Sequence, residues 1–172
     1  MKIKIYNKNM IKILVAWTSN SGNTESLAEA VSKGVDSIEG AQAILKRAKD
    51  VTREDFVSAK GIIAGSPVYF GTMSAELKDM FDRFVGLRRE GGMEGKIGAG
   101  FATSGHLTGG KETTILSILQ AMLIYGMIIV GDPIKVGGHY GVACQGCPDN
   151  QTLKAGEALG ARVAGLAKAL CS

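Results

Sequence analysis

Cysteine, proline, histidine and tryptophan are all scarce in this chain of 172 residues, which contains 3, 3, 2 and 1 of them. Three cysteines cannot build a disulfide framework, and their odd number fits a reducing compartment, so a cytoplasmic protein is expected. So few prolines exclude a linker-like or polyproline chain. Cys144 and Cys147 form a Cys-x-x-C with no second pair to complete a zinc site, so no metal is expected. Long apolar runs are missing too. The longest, Ile115 to Val130, spans 16 residues and contains Ser117 and Gln120. That is below the roughly 18 a membrane span needs, so membrane insertion is not expected. The apolar stretch Ile11 to Trp17 is too short, and interrupted by Lys12, to read as a signal peptide. No basic stripe interleaved with aromatics runs along the chain, which argues against nucleic acid as a partner.

Glycine is what the chain has in excess. It holds 24, eight of them between residues 91 and 110, against a usual share of ~7%. The glycines show no period of three and sit among Ile, Val and Leu, so they mark tight turns or close backbone approach rather than collagen or disorder. The formal charge is +4, and Lys2, Lys4, Lys8 and Lys12 account for it, since the remaining 160 residues hold 16 basic and 16 acidic side chains. Residues 1–9 therefore read as an N-terminal extension and residues 10–172 as one domain, although Ile3 to Tyr6 could instead form an extra edge strand.

From Met10 onward the hydrophobic pattern alternates between short apolar runs and helical spacing. Lys12–Trp17, Ala43–Leu45, Gly61–Gly65, Lys96–Thr103 and Met127–Val130 read as five buried strands. Leu27, Val31, Val35 and Ile38 mark one helix. Leu77, Met80, Phe81, Phe84 and Val85 mark another. Residues 111–125 form a third, apolar on most faces, and Leu159, Val163, Leu166 and Leu170 mark the last. Thr52 with Asp55 has the spacing of a capping box. Alternating strands and helices imply an α/β domain with a parallel sheet covered on both faces, whose ligand binds beyond the carboxyl ends of the strands.

The loop after the first strand is Ser19-Asn20-Ser21-Gly22-Asn23-Thr24: three hydroxyls, two amides and a glycine, without a charge. Hydroxyls and free N–H groups at a helix N-terminus suit a phosphate monoester held without Lys or Arg. Simple N-capping would need only one of them. The loop lacks Gly-x-Gly-x-x-Gly, which excludes the dinucleotide fingerprint. Gly105, Gly110 and Lys111 have the spacing of a Walker A motif, but Glu112 stands where a hydroxyl must hold magnesium. Tyr69 and Phe70 follow a proline in a loop, a placement that suits a ligand wall better than a core, whereas Phe81 and Phe84 have core spacing.

Ser66-Pro67-Val68-Tyr69-Phe70-Gly71-Thr72-Met73 is followed by Leu77-Lys78 and Phe81-Asp82-Arg83. Further on come Phe101-Ala102-Thr103-Ser104-Gly105 and Gly109-Gly110-Lys111-Glu112-Thr113. Together with Gly126 to Gly131 and Tyr140-Gly141, these strings resemble the flavodoxin-like NAD(P)H:quinone oxidoreductases of the tryptophan-repressor-binding-protein type. The resemblance covers nearly all of residues 10–172. It implies a three-layer sandwich with a five-stranded parallel sheet in the order 2-1-3-4-5. It implies FMN as cofactor, NAD(P)H as co-substrate and a quinone or similar small acceptor. By the same resemblance Ser19, Asn20, Ser21, Gly22, Asn23 and Thr24 would hold the phosphate, and Pro67, Val68, Tyr69, Phe70 and Gly71 would lie beside the isoalloxazine. Thr103, Ser104, Gly105, His106, Gly109 and Gly110 would wrap its other edge. Tyr125 stands where members of the family often carry a histidine that reaches the flavin from a neighbouring subunit.

His106, in the loop facing the expected flavin, is the candidate proton donor; the alternative is an exposed loop histidine. His139 is a weaker candidate, and Cys144 and Cys147 read as incidental thiols. The expected activity is electron transfer from NAD(P)H through FMN to an acceptor, with a one-electron carrier of the flavodoxin kind as the alternative. Such carriers are strongly acidic where this chain is balanced. Ile115, Leu116, Ile118, Leu119, Met122, Leu123 and Ile124 extend far round one helix, so either a homo-oligomer (dimer or tetramer) or deep burial within one subunit is expected.

Overall fold

A computed structural model describes residues 10–171; the expectations for residues 1–9 lie outside it. Strands β1 (Ile11–Trp17), β2 (Ala41–Arg47), β3 (Gly61–Pro67) and β4 (Ile97–Ser104) run parallel, joined by helices. With β5 (Ile128–Ile129) they form the sheet order β2-β1-β3-β4-β5, as expected. Residues alternate between two faces because the strand period is two. Ile13 and Val15 join Ile63 and Phe101 beneath α1 (Asn23–Asp36) and α6 (Asn150–Cys171). Leu14 and Ala16 join Ile62, Ala64 and Ala102 beneath α3 (Ala75–Arg83) and α5 (Lys111–Ile124). Each face is a dry apolar layer, which is why the central strands are apolar on both sides.

The expected capping box is present. Thr52 accepts from the Asp55 amide, and the Asp55 carboxylate accepts from Thr52, opening the short helix α2 (Arg53–Ser58). The same carboxylate pairs with Lys46 at 2.7 Å. Burial works to raise the Asp55 pKa, but the bonds from Lys46 and Thr52 outweigh it and hold the carboxyl below its usual range.

Two expectations change. The helix read through Val85 ends at Arg83, and a further turn, α4 (Gly86–Arg89), follows it. The fifth strand shrinks to β5 (Ile128–Ile129), and an unexpected sixth, β6 (Val142–Gln145), appears. β5 pairs with Ile97 and Gly98, and β6 with Phe101 to Ser104, so the two segments share one edge of β4. Residues 130–141 loop out between them. Only four residues long (Val-Ala-Cys-Gln), β6 is too short to show a period that could be read from sequence.

Candidate functional site

The carboxyl ends of the central strands stop level with each other. Trp17 pairs with Gly65, Pro67 with Thr103, and Thr103 with Cys144. The loops after β1, β3 and β4 therefore emerge along one edge of the sheet. Side-chain hydroxyls fasten them together. Thr18 bonds Ser74 at 2.8 Å and Thr24 bonds Thr103 at 2.7 Å, both pairs buried. Asn20 donates to the Tyr69 hydroxyl at 2.6 Å, and Val68 N–H donates to Thr103 O at 2.8 Å.

The first loop ends in a helix start that no side chain caps. Gly22, left-handed at φ 85°, is the N-cap of α1. The first N–H groups of a helix have no partner within it, so at an uncapped end they face outward with the positive end of the dipole. Ser19 Oγ takes the Gly22 N–H at 2.9 Å, which folds the loop over that end. Asn20, Ser21 and Gly22 are exposed. Thr24 and Thr103 are buried and bond each other, which fastens the first loop to the end of β4 and uses one of their two hydroxyl protons.

The second loop is a tight turn. Tyr69 and Thr72 exchange both backbone bonds at 3.1 Å, with Phe70 at φ 51° and Gly71 at φ 76° between them. Phe70 is the only non-glycine residue with positive φ among the described residues, and its ring is fully exposed. A left-handed bulky residue costs about 1–2 kcal/mol, and an exposed aromatic contributes no burial in return. Strain and exposure together make Phe70 a candidate ligand wall. Thr113 Oγ1, at the start of α5, donates to Gly71 O at 2.7 Å and secures the turn. Pro67 and Val68 lie half-buried beneath it, Val68 against the core.

The third loop is glycine-lined. Gly110, at φ 96°, caps α5 without a side-chain bond. A Cβ there would sit 2.9 Å from Gly71 Cα, so the second and third loops touch backbone to backbone. Gly105 has open space where its Cβ would be, while Gly109 is pressed against His106 O. Ser104 Oγ donates to His106 O at 2.7 Å. His106 is exposed; its Nδ1 lies 3.1 Å from the Thr108 hydroxyl and 3.3 Å from the Thr108 amide, which orient the ring.

Tyr125 does not belong to this edge. It follows the far end of α5, buried, and donates to Phe81 O at 2.6 Å beside Phe56 and Phe81. Within its own subunit Tyr125 packs as core, with its ring buried and its hydroxyl bonded. Residues that sequence reasoning missed are Thr18, Ser74 and Thr113, which hold the loops in place. Nothing in the spacing could have paired Thr18 with a serine 56 positions away.

This edge fits FMN by the chemistry of its donors. The first loop offers hydroxyls, amides and an uncapped helix end, with no acid between Thr18 and Thr24. The second offers an aromatic wall and the third bare backbone. Trp17 Nε1 and Thr114 Oγ1, near the carboxyl edge, are buried without a partner among the described residues. Among the described residues no group of His, Cys, Asp or Glu could hold a metal, and no helix is long and apolar enough to cross a membrane.

Residues 10–140 match the family described as NADPH-dependent FMN reductase. The chain is 36% identical to an NAD(P)H dehydrogenase (quinone) of Archaeoglobus fulgidus, an alignment covering 94% of this chain and 100% of that one. It is also 36% identical to a flavodoxin of Aquifex aeolicus, covering 90% of this chain and 86% of that one. In three dimensions it is similar to a WrbA-like flavodoxin from Agrobacterium tumefaciens, with a TM-score of 0.79 at 24% identity over 92% of this chain and 98% of the other.

Proposed function

Since this chain belongs to the NADPH-dependent FMN reductase family, we propose that it is an FMN-dependent oxidoreductase that passes electrons from NAD(P)H to a quinone or similar small acceptor. The observation that carries this reading is the exposed, strained Phe70 beside an uncapped, hydroxyl-rich helix start: an aromatic wall and a phosphate seat on one edge. When bound, FMN supplies the hydride-accepting and electron-donating chemistry. The protein supplies its seat.

Ser19, Asn20, Ser21, Gly22 and Asn23 would hold the phosphate through hydroxyl, amide and backbone donors, with the dipole of α1 favouring the anion. Tyr69, Phe70 and Gly71 would flank the ring system and exclude water from one side. Backbone groups of Gly105, Gly109 and Gly110 would meet its other edge, where bare glycine lets them approach. His106 would offer a ring proton to an acceptor oxygen, its ring oriented by Thr108. No protein nucleophile is needed.

A one-electron carrier is the second reading, favoured by the likeness to the Aquifex aeolicus flavodoxin. Against it, residues 10–172 hold 17 basic and 16 acidic side chains, no field for steering onto a basic partner. Steady oxidation of NADH or NADPH by the FMN-loaded protein, dependent on added benzoquinone, supports the enzyme. Absence of turnover with both nicotinamides across a quinone panel overturns it. We also place the protein in the cytoplasm, where Cys144, Cys147 and Cys171 would stay the free thiols they are. Association into a homo-oligomer is supported by Leu116, Leu123 and Ile128, which stay exposed on the outer side of the molecule.

A further inference from the structure

Between α3 and α5 runs a groove of about 770 Å³ that the proposed chemistry does not use. Tyr69 and Phe70 form one end of it, so it opens directly from the aromatic wall of the flavin edge. Met73, Ala75, Ala121 and Ile124 continue it. Ser117, Ala121 and Ile124 recur at helical spacing and form one stripe of α5 leading away from the sheet edge. Seven residues of helix carry that stripe about 10 Å.

The polar groups along the groove are largely spent. Ser117 Oγ donates to Thr114 O and accepts from Met73 N–H. Lys78 is held by Asp82 at 2.7 Å along α3. Gln120 and Thr72 leave one amide and one hydroxyl at the rim. A dinucleotide, with its ribose hydroxyls and diphosphate, would find almost nothing to bond there. A chain of methyl and methylene groups would find walls.

We propose that this groove receives the apolar tail of the acceptor, so that the enzyme selects quinones bearing a short isoprenoid or alkyl substituent over bare ring quinones. The inference rests on the quinone reading above and adds the substrate class. The head of the quinone lies at the flavin edge and the tail passes Phe70 into the channel between α3 and α5. Ala121 sets the room available, because a larger side chain at that point fills the channel. Ile124, two-thirds exposed, forms its outer wall.

The test uses FMN-loaded protein and three benzoquinones with the same ring, carrying no tail, one isoprene unit or two. The KM is expected to fall at least tenfold from the first to the last, the equivalent of fully burying about two methylenes of the tail. Titration calorimetry of the oxidised protein, without nicotinamide, is expected to show the same order in Kd. Ala121→Phe and Ile124→Glu are each expected to abolish the gain from the tail while leaving the KM of the tailless quinone unchanged. Equal KM and Kd across the series, or a gain that survives in both variants, overturns the proposal. So does a native oligomer that Ile124→Glu converts to monomer, because the groove would then be a subunit contact. If no quinone is reduced at all, the enzyme reading fails. The calorimetric series still decides the groove by itself.

Discussion

Replacing Gly110 by alanine tests whether the second and third loops are fastened as the structure has them. Gly110 sits at φ 96°, a conformation that costs a residue with a Cβ about 1–2 kcal/mol. The new Cβ would lie 2.8 Å from Thr113 Oγ1 and 2.9 Å from Gly71 Cα, where carbon contacts prefer roughly 3.5–4.0 Å. Gly71 Cα is backbone and cannot swing aside. Moving it strains the 2.7 Å bond from Thr113 to Gly71 O, worth about 1 kcal/mol. The sum is about 2–4 kcal/mol. For a domain of this size that lowers the melting temperature by roughly 5–15 °C. The assay is thermal unfolding of the apoprotein followed by circular dichroism, with FMN affinity from flavin fluorescence quenching. Gly105→Ala is the control: its Cβ meets nothing within 4 Å, so the apoprotein should melt within about 0.5 kcal/mol of native. Its FMN affinity should nonetheless fall, because the added methyl occupies the face offered to the ring. A Gly110→Ala protein that melts and binds FMN like the native one would refute the loop-to-loop contact. A Gly105→Ala protein with native affinity would refute the placement of that backbone against the flavin.

Phe70→Gly should raise the melting temperature of the apoprotein, since it removes about 1–2 kcal/mol of left-handed strain and no burial. The same change should slow NAD(P)H-dependent quinone reduction; a loss of stability instead would show that Phe70 has a packing role. Ser21→Asp puts a carboxylate in the uncharged first loop and should weaken FMN binding about a hundredfold while barely changing riboflavin binding, as paired titrations would show. Burial, with Asp82 nearby, pushes the Tyr125 phenol up to about 12 from its ordinary 10. The folded state thus keeps that proton longer than the unfolded chain, so the associated stability is complete below pH 10 and lost as pH rises from 10 to 12. Tyr125→Phe should flatten that arm of the urea-unfolding profile and cost about 1 kcal/mol at neutral pH through the lost bond to Phe81 O. Lys96 behaves oppositely. Burial, aided by Lys60, lowers its pKa to about 8 from 10.5, so stability should rise with pH across that interval, and Lys96→Met should remove the rise.

The strands were legible because buried parallel strands are short continuous apolar runs, and their order followed from the resemblance of the loops. Phe81, in contrast, was read as core from helical spacing alone, and it is buried against Phe56. The edge strand was not legible, because β5 and β6 pair with different halves of β4 and neither carries a full period. The glycine excess was read as backbone bared for a cofactor, and that holds for only part of it. Gly98 lies in β4 beneath α5, where a Cβ would meet Met122 Sδ and Ile129 Cδ1 at 2.9 Å. It is bare to admit the packing of helix and edge strand.

Taken alone, the sequence determined the alternation of strands and helices, the uncharged anion loop and the candidate wall at Tyr69 and Phe70. These are local properties, set by period, capping chemistry and the residues a turn tolerates. The tertiary structure decided which hydroxyls meet. Thr24 and Thr103, 79 residues apart, bond each other and fasten the first loop to β4. Tyr125 resembles a flavin contact by position, yet the far end of α5 turns it into the core. The groove between α3 and α5 exists only because two helices distant in the chain pack on the same face of the sheet, and no one-dimensional pattern records the space left between them.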